Sequence, residues 1–188
     1  MTSPRITKHV LKDAHHCPTR GWRMARTSEP VPLDLQMRFH QGNYVEQVAM
    51  DQIGPGLRMP ADKHLACEMT SQALAHNFGQ LIIQPAFYVG DVVVRPDAIS
   101  SHGRELKEIK SAKSLKDDYV LDLAINKAAA EHNGVSIDSS ILLHVNPEHR
   151  CGDENPKMVE IDLTIQVNKL CETYDIVDEI AMLRQPEP

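Results

Sequence analysis

A hairpin with an acid beside a proline in its first strand and an acid-x-lysine triplet in its second constrains this chain more than any other feature. It runs from Arg95 to Lys110 and reads Arg95-Pro96-Asp97, a short polar link, then Glu108-Ile109-Lys110. Val92 to Ile99 is rich in β-branched residues, which suit a pleated surface, and reads as a strand. Arg104 to Ser111 alternates and reads as its partner. A tight turn at His102-Gly103, with glycine supplying a positive φ, sets Ser101 opposite Arg104 and therefore Asp97 opposite Glu108. Strand side chains alternate, so Lys110 shares a face with Glu108. Pro96 has no N–H to give a ladder, which suits an edge or the point where the hairpin splays.

Two facing carboxylates repel each other unless positive charge sits between them. Lys110 supplies one such charge, and a divalent cation supplies more. Magnesium takes one or two carboxylates and fills its other positions with water and phosphate oxygens. Such an ion lowers the pKa of a bound water and offsets charge developing on phosphorus. The pattern is that of a metal-dependent phosphodiesterase: Asp97 and Glu108 hold the ion, and Lys110 orients the attacking water. The plain alternative is a surface ion-pair ladder, because acid-x-lysine is common in any charged sequence.

A long helix is expected from about Leu33 to Ile53, stopped by Gly54-Pro55-Gly56. Leu35, Phe39, Gly42, Glu46, Ala49 and Ile53 follow steps of four and three, which is one helical face. Glu46 thus lies either in the inward stripe, where a carboxylate must be paired or bind a cation, or at the stripe's edge, where it reaches water. Gly42, one turn earlier, lets another backbone or a ligand approach. Thr7 caps a short helix through about His15, ended by Cys17-Pro18. Further helices are expected over Ala61–Asn77, from Asp117 or Asp118 to Asn133, and over Lys169–Leu183. Strands are expected over Gln80–Val89, Val135–Val145 and Val159–Val167. The core order is αβββαβ, a mixed α/β domain with one central sheet flanked by helices.

The chain has 188 residues, enough for one domain with a full core. Its apolar share of 41% and charged share of 24% are those of a soluble globular protein. The absence of a long apolar run argues against a membrane partner. Cys17, Cys67, Cys151 and Cys171 form no C-x-x-C pair, which fits reduced thiols and a cytoplasmic location. The net charge of -6 is unevenly spread. Bases prevail from Arg5 to Arg26 (Arg5, Lys8, Lys12, Arg20, Arg23, Arg26) and from Arg104 to Lys116, while acids gather after Cys151. The basic stretches either track a phosphate backbone or are solvated faces. Trp22 and Tyr44 either stack a base or pack. The histidines show no zinc spacing with the cysteines.

Glu46, Asp97, Glu108-x-Lys110 and the helix that follows resemble the PD-(D/E)XK nuclease superfamily. The match is to its RecB-like exonuclease branch, including the CRISPR-associated RecB-like nucleases and related bacterial proteins. It spans about Ile6 to His149 and includes Cys17-Pro18, Gly42-Asn43-Tyr44-Val45-Glu46, Arg95-Pro96-Asp97, Glu108-Ile109-Lys110-Ser111 and Asp122-Leu123-Ala124-Ile125-Asn126. The resemblance implies a restriction-endonuclease-like core over residues 1–150, with 151–188 as an acidic strand–helix extension of the same domain. It implies that Glu46, Asp97 and Glu108 are metal ligands and that Lys110 is the catalytic lysine. Asn126 and Ala130 stand where the branch has a glutamine and a tyrosine; Asn126 keeps the amide and is expected to contact substrate. Tyr119 and Arg104 flank the hairpin and are further expected substrate contacts. Cys17 matches the first cysteine of the iron–sulfur set found in several relatives, but the late cysteines do not match, so no cluster is expected.

The resulting expectation is a magnesium- or manganese-dependent deoxyribonuclease. Single- or double-stranded DNA, exo- or endonuclease action, and a protein partner or oligomer are left open. The alternative is a catalytically weakened module of the same fold that binds nucleic acid or a protein partner.

Overall fold

The computed structural model describes residues 4–27, 33–76, 81–100, 104–150 and 157–186. In chain order its elements are α1 (Lys8–His16), α2 (Pro18–Met24), α3 (Leu33–Ile53), β1 (Gly56–Arg58), α4 (Lys63–Ala75), β2 (Leu81–Ile83), β3 (Phe87–Val89), β4 (Val92–Val94), β5 (Ala98–Ser100), β6 (Glu105–Lys110), α5 (Asp117–His132), β7 (Ser139–Val145), β8 (Met158–Asp162), α6 (Thr164–Cys171) and α7 (Ile176–Arg184). The architecture is mixed α/β. Six strands form one mixed sheet in the order β1-β2-β5-β6-β7-β8, and β3 pairs with β4 as a separate ribbon. β6 and β7 are parallel. Parallel neighbours need a crossover, and α5 provides it across the sheet.

The two faces of the sheet bury different helices. On one, α5 packs with α1, α6 and α7 around Leu11, Leu106, Leu123, Leu142, Leu163 and Leu183, all essentially without exposure. α5 is buried on most sides, covering Leu121, Leu123, Ala124, Ile125, Ala129 and Ala130 together with the polar Asp122, Asn126 and Lys127. Such a helix belongs at the centre of a fold. On the other face α3 lays Val45, Ala49 and Met50 against Ile83, Ala98, Ile109 and Leu143. Among the described residues no helix is long and apolar enough to cross a membrane.

The expected strand Gln80–Val89 is two strands. At Gln84, φ is 52°, in the left-handed region, and the chain turns there out of β2 toward β3. The expected strand Val92–Ile99 also divides, between β4 and β5, and Pro96 lies at the break. The expected strand Val159–Val167 ends at Asp162, whose Oδ1 accepts from the backbone N–H of Thr164 at the start of α6. Leu163 and Val167, four apart and both buried, follow a helical period that the alternating residues before them conceal. The expected terminal helix is therefore the pair α6 and α7, the second capped by Asp175. The expected strand Val135–Val145 covers only Ser139–Val145. Pro18 ends α1 as expected but also opens α2, where its missing N–H costs nothing. α2 lies so close to α1 that a Cβ on Gly21 would collide with Ala14.

Candidate active site

The hairpin register is the expected one: Ala98 pairs with Lys107 and Ile99 with Leu106. The turn at His102-Gly103 lies outside the described residues. β5 starts only at Ala98, so the Glu108–Lys110 end of β6 has a ladder partner on its β7 side alone. Asp97 closes part of the open edge. Its Oδ2 accepts the backbone N–H of Ile109 at 2.6 Å, a donor a longer β5 would have faced with Pro96 and Asp97 backbone. Side chains from both faces meet at this edge and line a pocket of about 310 Å³, including Phe39, Gly42, Glu46, Asp97, Glu108 and Lys110.

Glu108 is the most heavily bonded member. It is 2% exposed. Its Oε1 accepts from Lys110 Nζ at 2.6 Å and from Lys8 Nζ at 3.0 Å, and its Oε2 accepts from Asn126 Nδ2 at 2.7 Å. Lys110 also reaches Asp122 Oδ2 at 2.8 Å, and its ammonium stands 5.6 Å from the ring centre of Tyr119. Lys12 reaches the same Asp122 oxygen at 3.0 Å. Burial alone would raise the Glu108 carboxyl, but Lys8 and Lys110 outweigh it and hold it below the usual carboxylate range. Burial alone would lower the Lys110 ammonium, and the charges on Glu108 and Asp122 raise it instead.

Asp97 goes the other way. Burial and then the charge of Glu108 push its carboxyl well above the usual range, against the pull of Lys8, Lys110 and the Ile109 N–H. Glu46 approaches from the α3 side, and Gln84 fixes it by donating Nε2–H to its Oε1 at 2.7 Å. Gln84 is itself tied down: its backbone N–H donates to the Asp97 carbonyl at 2.7 Å, and its carbonyl accepts from Arg95 Nη2 at 3.0 Å. The left-handed turn at Gln84 thus connects two acids that are far apart in the chain.

Glu46, Asp97, Glu108 and Lys110 are therefore brought to one pocket. Asn126 is 0% exposed and spends its amide on Glu108, so it supports an acid from within the core. Tyr119 is buried beside Lys110. Arg104 is not at the pocket. It precedes β6 at the far end, six residues and roughly 20 Å from Lys110 at strand rise, and pairs with Asp138 at 3.8 Å. Gly42 admits no neighbouring backbone: a Cβ there meets nothing within 4 Å, and the position opens onto the pocket. The basic stretches are largely paired within the fold. Lys8 and Lys12 point at acids, Arg20 binds Asp13 at 2.9 Å, Arg26 lies over Trp22, and Lys107 joins Glu105 and Glu160. Trp22 packs there and donates to the Gln185 carbonyl. Tyr44 is exposed on α3.

Lys8, Lys12 and Gln84 escaped the reading of the sequence as parts of the site. Gln84 carried no signal, because a left-handed glutamine is a tertiary outcome. The lysines carried one: Lys8, Lys12 and His16 recur every four residues, as do Asp118, Asp122 and Asn126, so each set forms one helical stripe.

The donors suit a divalent ion. Three carboxylates offer only hard oxygens, the preference of magnesium and manganese. Among the described residues no three Asp, Glu, His or Cys side chains are gathered tightly enough to form a ready-made metal cage. An ion here would keep waters among its ligands, as magnesium does.

No protein-family model matches this chain, and no curated protein matches it. A solved structure, that of SSO0001, is similar at 16% identity over 96% of this chain and 88% of its own, with a TM-score of 0.29. A likeness at that score leaves the site to be argued from its own geometry.

Proposed function

We propose that the protein is a divalent-metal-dependent nuclease that hydrolyses DNA phosphodiester bonds on a restriction-endonuclease-like core of the PD-(D/E)XK kind. One observation carries the reading: Glu46, Asp97, Glu108 and Lys110, from three distant segments, line one pocket. Asp97, Glu108 and Glu46 would hold a magnesium or manganese ion. When bound, the ion supplies a water of lowered pKa and offsets charge on the phosphate. Lys110 orients the nucleophile and shares in that neutralisation. Asn126 and Lys8 keep Glu108 in place, and Gln84 does the same for Glu46. Phe39, 53% exposed at the pocket rim, offers a ring on which a base can stack.

The test is cleavage of single- and double-stranded DNA by the purified protein with magnesium, manganese or EDTA. The expected result is cleavage with metal that EDTA abolishes and that Lys110→Ala loses. Equal cleavage by wild type and Lys110→Ala would point to another site or a contaminant. The second reading, a weakened module that retains nucleic acid without cutting it, is favoured by one observation: three donors already crowd Glu108. Metal-independent DNA retention without cleavage would support it.

A further inference from the structure

α1 and α5 are joined by an ion-pair ladder whose last rung ends on Glu108, which lines the pocket. The helices run antiparallel. His16 Nε2 meets Asp118 Oδ1 at 2.8 Å, and Lys12 Nζ meets Asp122 Oδ2 at 3.0 Å. One turn further, Lys8 lies opposite Asn126, and both reach Glu108, Lys8 on Oε1 at 3.0 Å and Asn126 on Oε2 at 2.7 Å. A carboxylate offers about four lone-pair directions. Lys8, Lys110 and Asn126 take three of them. Lys110 is anchored a second time by Asp122, whereas Lys8 reaches Glu108 from a helix outside the sheet and its crossover.

We infer that Lys8 is the resident counter-ion of Glu108 and sets the affinity of the site for a divalent cation. The inference rests on the metal-dependent reading above. A cation drawn to Glu108 competes with the Lys8 ammonium for Oε1 and feels its repulsion. Lys8 acts through Glu108, so it is a positioning residue. Loss of a ligand weakens metal binding, whereas loss of Lys8 strengthens it. That opposite sign separates the role from simple structural support.

The experiment is calorimetric titration of Mn²⁺ into the full chain, with folding of each variant checked by circular dichroism and thermal melting. Lys8→Gln keeps a donor but removes the charge, and is expected to bind Mn²⁺ about tenfold more tightly than wild type, or better. Lys8→Arg keeps the charge and is expected to match wild type. Lys107→Met removes one charge on the opposite face of β6, where Lys107 pairs with Glu105 and Glu160, and is expected to leave the affinity unchanged. Glu108→Gln is expected to weaken binding. Unchanged or weaker Mn²⁺ binding by Lys8→Gln, beside measurable binding by wild type, would overturn the inference and leave the metal-dependent reading standing. Mn²⁺ binding by none of the proteins would overturn both.

Discussion

Asn126 donates its side-chain N–H to Oε2 of Glu108 at 2.7 Å, and the two residues are 0% and 2% exposed. The asparagine's own Oδ1 is a buried acceptor without a partner. Glu108 therefore gains a neutral donor at the expense of one orphaned oxygen. Removing that donor leaves a buried charged acceptor short of a hydrogen bond. Asn126→Ala is expected to cost about 1–3 kcal/mol. Asn126→Asp, which sets a second carboxylate against the first, should cost more. Urea unfolding checks this, and a midpoint unchanged in Asn126→Ala would contradict it.

Asp122 holds two ammonium groups at once, Lys12 at 3.0 Å and Lys110 at 2.8 Å, and is itself buried. Asp122→Ala leaves Lys110 with Glu108 alone and Lys12 with only the longer contact to Asp118, at 3.7 Å. Breaking a buried ionic cluster by removing one partner costs about 3–5 kcal/mol. The loss should persist in high salt, because buried pairs are screened far less than exposed ones. A small effect that vanishes in 0.5 M salt, on the order of 1 kcal/mol or less, would indicate a solvated contact instead.

Gly42 tests whether the pocket is the working site. It is in the interior of α3, and a Cβ there meets nothing. Gly42→Ala is expected to stabilise the protein by about 0.5–1 kcal/mol through lower chain entropy in the unfolded state. Gly42→Phe should fold equally well while filling the pocket and blocking DNA cleavage. Full activity in a folded Gly42→Phe would place the chemistry elsewhere.

Glu179 gives stability a pH dependence away from the site. Burial pushes its carboxyl up to about 7 from 4.5. The folded state then holds a proton that the unfolded chain has released. Its contribution is complete below about pH 4.5 and is lost as pH rises through 7. Glu179→Gln should therefore raise stability at pH 8 by about 1 kcal/mol, after allowing for solvent screening of a half-exposed group. The gain should fade toward pH 4.5. Thermal melts at the two pH values decide it, and an equal effect at both would contradict the account.

The hairpin register was legible because alternation and turn geometry are local: Asp97 and Glu108 were placed from spacing alone, and the ladder follows that spacing. Glu46 was legible only in part: Ala49 of the expected inward stripe is buried, but Phe39 is 53% exposed and Glu46 half-buried, because the buried face of α3 is turned toward Val45 and Val48 and leaves Glu46 at its edge. The division of the strands at Gln84 and Pro96 was not, because short apolar runs look alike whether continuous or broken. The place of α1 was hidden by composition. Lys8 and Lys12 read as solvated bases, and only the packing of α1 on α5 turns them inward. Nearness in sequence suggests Arg104 for the site, but a strand carries its two ends far apart, and Arg104 pairs with Asp138 instead.

The proposed site has carboxylates from α3, from the residue before β5 and from β6 sharing one hard cation beside Lys110. Anomalous diffraction from a crystal soaked in Mn²⁺ tests it most directly. The expected result is an anomalous peak in the pocket within ligand distance, about 2.0–2.5 Å, of oxygens from Asp97 and Glu108, with Glu46 turned toward it. A soaked crystal with no peak there, or with Mn²⁺ bound only at unrelated surface acids, would contradict it.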